Sequence, residues 1–214
     1  MSGPRRSSAA SGNADAAVTR IYLIRHAPHA HQRTRIVGRA AGMRLPEASL
    51  RIAERLAERL AGEGIAAVYC SPLDRARETA APLAARLGLA AEICAEANEV
   101  DYGEWTDRTV EELRAHPLWE RYNRCRSLTR IPGGETMVEV QARMVGLLER
   151  LRSAHPDQAV ALVGHGDPIR SAVCFHLGIP LDLMQRIEVA PASIGILELA
   201  DWGARLLRLN ELVR

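Results

Sequence analysis

The sequence predicts an α/β fold, a mostly parallel sheet with helices on both faces, and three observations predict it. Short β-branched runs alternate with longer segments of helical periodicity along the chain. The first of those runs is continuously apolar, as a strand buried on both faces requires. No internal repeat or linker-like break interrupts the chain after residue 19, so 20–214 reads as a single domain. A chain of 214 residues can bury a substantial core in such a fold.

The elements run in order from the N-terminus. Residues 1–19 are Ser, Ala, Gly and Arg without an apolar core segment, so they are expected to form a flexible tail and not a signal peptide. Ile21 to Ile24 is the first strand. Pro46-Glu47 starts a helix with Ala53, Leu56, Ala57 and Leu60 at i, i+3, i+4 and i+7, closed by Gly62 and Gly64. Ala66 to Cys70 is the second strand, stopped by Ser71-Pro72. A helix from Asp74 to Leu87 turns Ala76, Ala80, Leu83 and Leu87 inward and stops at Gly88. A strand near Ala90 to Cys94 leads into an irregular polar stretch from Glu99 to Asp107. Helices are predicted over Thr109 to Arg124 and Glu135 to Ser153, a strand over Ala159 to Val163, and a helix over Asp167 to Leu177. Ile194 to Leu199 and Arg205 to Leu209 form a hairpin around Asp201-Trp202-Gly203.

Composition narrows the function. Apolar residues make up 47% and charged residues 25%, the mix of a soluble globular protein, while aromatics at 4% leave the core to Leu, Ile, Val and Ala. A net charge of +2 does not point to nucleic acid or a membrane surface as partner, and no apolar run approaches a membrane span. All 28 basic residues are arginine, which excludes a Schiff-base lysine, a pyridoxal anchor and a Walker-type phosphate lysine. Arginine still allows phosphate binding, because its planar fork grips phosphate oxygens in bidentate fashion. Cys70, Cys94, Cys125 and Cys174 follow neither a zinc nor a disulfide-framework spacing, so free thiols in a reducing cytoplasm are expected.

In open α/β sheets ligands bind at the carboxyl ends of the strands. The first strand ends in Arg25-His26, the second in Ser71-Pro72 with Arg75 just beyond, and a later one in Gly164-His165-Gly166. Arginine neither ligates a metal nor tolerates one nearby, so two arginines and two histidines make a poor metal site, even with His29 and His31 close to His26. They make a good cage for a phosphate dianion and for a phosphoryl transition state. A histidine kept neutral by nearby arginines has a lone pair free to attack phosphorus. Glu99 and Asp101 are the candidate proton donors, and a bound dianion would raise the pKa of either.

These residues carry a resemblance. Arg25-His26, Ser71-Pro-Leu-Asp-Arg75-Ala-Arg-Glu-Thr-Ala80, Glu99 with Gly103 and Trp105, Gly133-Gly-Glu135, and Val163-Gly-His165-Gly with Ile169-Arg170 look like the histidine phosphatase superfamily, the phosphoglycerate mutase-like family. The matches come in family order from Ile21 to Leu209. The resemblance implies a three-layer α/β/α sandwich, a reaction through a phosphohistidine and no cofactor or metal. Carried over by position, His26 is the nucleophile, Arg25, Arg75 and His165 hold the phosphoryl group, and Glu99 protonates the leaving group and then activates water. Gln32, Tyr102 and Gly166 fall at substrate-side positions. Ala27 stands where the family usually has Gly, Gln32 where it often has Asn, Thr106-Asp107 where Glu-Gly is common, and Ser49 where a helix-entry Gly is usual.

The expected activity is therefore hydrolysis of a small phosphorylated metabolite by a phosphomonoesterase. Its rivals are a mutase and a phospholigand-binding module without catalysis. Arg33, Arg35, Arg39 and Arg44, with Trp119, Tyr122 and Arg124 to Arg126, are read as a rim that favours a substrate with further negative charge. His29 and His31 match no catalytic position and are read as solvated or rim residues. The dipole of the helix it precedes suffices to explain Glu135, with a supporting role behind the site as the alternative, and a homodimer is within the range that the resemblance implies.

Overall fold

The computed structural model describes residues 16–31 and 34–213. Residues 1–15 of the expected tail, and Gln32 and Arg33, lie outside the described residues. Six strands, β1 (Thr19–Arg25), β2 (Ile65–Cys70), β3 (Ala91–Ile93), β4 (Ala159–Gly164), β5 (Ser193–Ala200) and β6 (Gly203–Leu212), form one sheet in the order β3-β2-β4-β1-β5-β6. The first four are parallel, β5 runs antiparallel to β1, and β6 runs antiparallel to β5. The sheet is thus mostly parallel, with the hairpin at one edge.

Strand β1 explains its own composition. Tyr22 and Ile24 point into one core, with Leu56, Leu60, Ala80 and Leu83 of helices α1 (Glu47–Leu60) and α2 (Asp74–Leu87). Ile21 and Leu23 point into another, with Met144, Leu147 and Leu151 of α5 (Met137–Ala154) and Ile169 and Ala172 of α6 (Gly166–His176). A strand covered on both faces has no polar side, hence the unbroken apolar run. The result is the expected three-layer α/β/α sandwich. The strand begins two residues before Ile21. Thr19, placed by sequence in the tail, is 1% exposed and its hydroxyl donates to the carbonyls of Arg152 and His155.

A third apolar cluster lies beyond the sheet. It joins Val100, Tyr102, Trp105, Leu113 and Tyr122 to Met137, Val140 and Cys174. The helix predicted over Thr109 to Arg124 is two short helices, α3 (Val110–Arg114) and α4 (Trp119–Arg124), broken around Pro117. Proline cannot sit inside a helix without removing a hydrogen bond, and the residue before it is pushed out of the helical region. Other boundaries fall within a residue or two of expectation, except that β6 runs three residues past Leu209. Helix α2 stops at Gly88 in the left-handed conformation, φ 67°, and α5 starts from a capping box of Thr136 and Glu139.

Candidate active site

Strand order builds the site. Because β4 lies between β2 and β1, the carboxyl ends of all three open onto one place. The His26 amide continues the ladder onto the Gly164 carbonyl at 2.9 Å, and the Ser71 amide donates to Val163 at 2.9 Å. Arg25-His26, Ser71 and His165 therefore meet, although up to 140 residues separate them. Helix α2 then turns Arg75 inward on the face that also buries Ala76, Thr79 and Ala80.

The two catalytic-position histidines have defined chemistry. His26 is 2% exposed and its Nδ1 lies 2.7 Å from the Ala27 carbonyl. A carbonyl only accepts, so Nδ1 carries the proton and the Nε2 lone pair is free. Burial, then Arg75, push its pKa well below the ordinary 6.5, so the ring is neutral. His165 caps α6, its ring centroid 5.1 Å from that of His26. Its Nε2 meets the Ser71 hydroxyl at 2.7 Å, and Nδ1 faces Arg75 Nη2 at 3.3 Å and Glu99 Oε2 at 3.8 Å. It too is held well below 6.5 by burial and by Arg75.

The guanidiniums are only partly engaged. Arg25 Nη1 donates to the Val189 carbonyl at 2.6 Å, and Arg75 Nη2 to the Gly38 carbonyl at 2.8 Å. Arg25 Nε and Arg75 Nε and Nη1 are buried and, among the described residues, have no partner. Buried donors are nearly always satisfied, so three orphans around one histidine are donors held for a ligand. Their charge and geometry select an anion. Gly166 belongs to the same construction, because a Cβ there would lie 3.2 Å from the Arg25 guanidinium carbon. Ala27 is accommodated in place of the usual glycine: its φ is not positive, and its amide donates to Thr79 Oγ1 at 2.9 Å.

Glu99 reaches the same cleft, a cavity of about 160 Å³ lined also by Arg25, His26, Arg75, Tyr102 and Gly166. Its pKa is raised, first by burial and then by Asp167, against the pull of Arg75. Asp101, the alternative acid, does not line the cleft; it accepts from the Gly103 amide at 3.0 Å and from Arg39 at 3.4 Å. Of the expected rim, Arg35 lines the cleft, and so does Arg170, a motif residue to which the sequence assigns no role. Arg39 and Arg44 are elsewhere: Arg44 pairs with Glu78 at 2.7 Å. Trp119 and Tyr122 pack on Trp105, with Tyr122 buried, and are not rim residues. Arg124 pairs with Glu120 at the surface, and Arg126 is buried against Asp167 at 2.7 Å. Gln32 falls outside the described residues.

Two groups of residues are not anticipated by the sequence. Arg39 and Arg143 clamp the acid loop, donating to the Glu99 carbonyl at 2.9 and 3.0 Å. Both are held by Glu135, which also accepts from the Asp101 amide at 2.9 Å. Glu135 is therefore a joint between the acid loop and α5, which its helix-dipole explanation does not convey. The loop approaches so closely here that a Cβ on Gly103 would sit 2.2 Å from the Pro132 carbonyl. The second group is Asp167, which accepts from Arg126, Arg170 and the Tyr102 hydroxyl. Among the described residues no group of three or more His, Cys, Asp or Glu is placed to hold a metal ion, and no helix is long and apolar enough to cross a membrane.

Known proteins share this arrangement of fold and sequence. A sequence model of the histidine phosphatase superfamily (branch 1) matches residues 21–212. The chain is 30% identical over 200 residues to phosphoserine phosphatase 1 of Hydrogenobacter thermophilus, covering 90% of this chain and 92% of that one. It is 26% identical to a protein of Yersinia pestis named "Probable phosphoglycerate mutase GpmB", over 81% of this chain and 82% of that one. Its fold matches that of a mycobacterial glucosyl-3-phosphoglycerate phosphatase with a TM-score of 0.82 at 25% identity, covering 91% of this chain and 99% of that one.

Proposed function

We propose that this chain, which belongs to the histidine phosphatase superfamily (branch 1), is a phosphomonoesterase that hydrolyses a small phosphorylated metabolite through a phosphohistidine on His26. The observation that carries the proposal is the free Nε2 of a neutral His26 beside three buried, unpartnered guanidinium N–H donors. Relatives named as phosphatases support hydrolysis as the class of reaction.

The reaction has two steps. His26 Nε2 attacks phosphorus in line, forming the N–P bond while the P–O bond to the leaving group breaks. Arg25, Arg75 and His165 hold the equatorial oxygens, where charge accumulates, His165 with the Nε2–H that the Ser71 hydroxyl otherwise accepts. Glu99, whose pKa burial raises, gives a proton to the departing alkoxide. The resulting carboxylate takes a proton from water as that water attacks phosphorus, which restores His26 and releases phosphate. Each group begins the second step in the state in which the first leaves it.

The cleft limits the substrate. At about 160 Å³ it is smaller than the roughly 300–1,000 Å³ of pockets for drug-sized ligands, so the ester is compact. Arg35 and Arg170 on its lining favour a second negative charge on the carbon skeleton. The four free thiols suit a reducing, cytoplasmic setting.

The test is hydrolysis of a generic aryl phosphate in excess EDTA, wild type beside His26→Ala. Turnover that survives chelation and is lost with His26 is the expected result; turnover abolished by EDTA overturns the metal-free mechanism. Phosphoglycerate isomerisation assayed beside phosphate release separates hydrolysis from mutase transfer, and release without isomerisation is expected.

A further inference from the structure

His29 is a polar group of the cleft that the two-step reaction leaves unused. Its ring lines the same cavity as His26, with centroids 5.5 Å apart and planes tilted by 32°. His165 flanks His26 at 5.1 Å. The nucleophile thus has two imidazole neighbours at nearly equal distance.

The three rings differ in what occupies their nitrogens. His165 has both engaged, by Ser71 and Arg75, and His26 has Nδ1 engaged by its own backbone. His29 has neither engaged among the described residues, and its Nδ1 is buried without a partner. A neutral imidazole carries one N–H and one lone pair, so His29 has a donor in reserve. Burial, then Arg75, Arg25 and His31, bring its pKa down to about 4. The ring is therefore neutral before a substrate binds, and the two guanidiniums that keep it so are those that take the dianion. Once a dianion sits on those guanidiniums, their positive field at His29 is offset, and an N–H aimed at a phosphoryl oxygen becomes a charge-assisted hydrogen bond.

We propose that His29 is a third histidine of the phosphoryl cage, donating a hydrogen bond to a non-bridging oxygen of the bound ester and of the phosphohistidine on His26. The inference rests on the phosphatase reading of the site, and it assigns a role to a residue that the family resemblance leaves without one. His26 Nδ1 is turned to the Ala27 carbonyl, so a phosphorus on Nε2 lies on the cleft side of the ring, where His29 also lies.

The experiment measures inhibition by orthovanadate, a mimic of the phosphoryl transition state, in wild type, His29→Ala, His29→Phe and His29→Gln. Thermal melting of each variant serves as the check on folding. Phenylalanine keeps a ring without nitrogens, and glutamine keeps a neutral donor without the ring. Vanadate affinity about ten- to a hundredfold weaker in His29→Ala and His29→Phe, with His29→Gln within about threefold of wild type, is the expected pattern. Inhibition of His29→Phe equal to wild type reduces His29 to packing and overturns the proposal, as does an unchanged His29→Ala. Wild-type activity indifferent to vanadate overturns the phosphoryl cage itself, so the two failures are distinguishable.

Discussion

Replacing Asp167 by asparagine removes one negative charge at the mouth of α6 and leaves the side chain's size unchanged. The carboxylate accepts from Arg126 Nη1 at 2.7 Å, Arg170 Nη1 at 2.9 Å and the Tyr102 hydroxyl at 3.1 Å. Burial opposes its ionisation, but Arg126 and then Arg170 overcome that and hold its pKa at about 2, against an ordinary 3.8. The folded pKa lies below the unfolded one, so the ionised carboxylate stabilises the fold at any pH above about 4, and that stability is lost as pH falls toward 2. The shift corresponds to roughly 2–3 kcal/mol. Arg126, 7% exposed, would also be left without its counter-ion, and breaking one side of a buried pair costs about 3–5 kcal/mol. These are two measures of one interaction, so about 3 kcal/mol is expected, a fall in Tm of roughly 6–12 °C for a chain of this size. Melting curves from pH 7 to pH 2.5 test it twice. The variant melts lower at pH 7, and the gap narrows below pH 4 as the carboxylate of the unfolded wild-type chain protonates. A gap under 2 °C at pH 7, or one unchanged at pH 3, refutes the reasoning.

Four further outcomes are expected. Glu99→Gln lowers kcat by roughly a hundred- to ten-thousandfold for alkyl and nitrophenyl phosphates alike, because both wait on hydrolysis of the phosphohistidine, but the nitrophenyl ester keeps a fast first-turnover burst, since its leaving group needs no proton. The same variant melts higher than wild type, by an amount that grows as pH rises above the ordinary carboxylate value of 4.5. The folded pKa of Glu99 is raised, so the stability it contributes exists below its unfolded pKa and is lost as pH rises. Arg143→Ala frees the Glu96, Asn98 and Glu99 carbonyls together with Glu135, so kcat falls about tenfold or more while KM for a small aryl phosphate stays within about threefold. Arg35→Ser raises KM about two- to fivefold for an ester bearing a carboxylate and leaves KM for a neutral ester unchanged, because an exposed arginine contributes little more.

Residues that sit in the first turn after a strand were legible in the sequence, because the position of a strand end is a local property and the parallel sheet collects those ends. Arg25, His26, Ser71, Arg75 and His165 were found this way, and their meeting needs only that β4 lies between β1 and β2. The supporting groups are different. Arg143 reaches the Glu99 carbonyl across 44 residues, and Arg126 reaches Asp167 across 41, with no periodicity to announce either. A supporting role for Glu135 is within the sequence reading, but the sequence does not name the arginines it serves, Arg39 from 96 residues away and Arg143 on the helix that follows. The sequence reading places Trp119 and Tyr122 on the rim, yet the break at Pro117 folds them onto Trp105. His29 lines the cleft, as a rim reading allows, half-buried with its Nδ1 out of solvent; the depth of a loop residue is set by what packs over it.

The mechanism turns on a covalent bond between His26 and phosphorus. The direct measurement uses Glu99→Gln with a nitrophenyl ester, which needs no acid to form the intermediate but lacks the base to hydrolyse it. After an alkaline quench, which preserves phosphoramidates, mass spectrometry of the digested protein locates the phosphate. The mechanism predicts phosphate on the peptide carrying His26, near one per chain, and none in a variant that also carries His26→Ala. Release of nitrophenol with no phosphate on His26, or labelling that persists without His26, would contradict it.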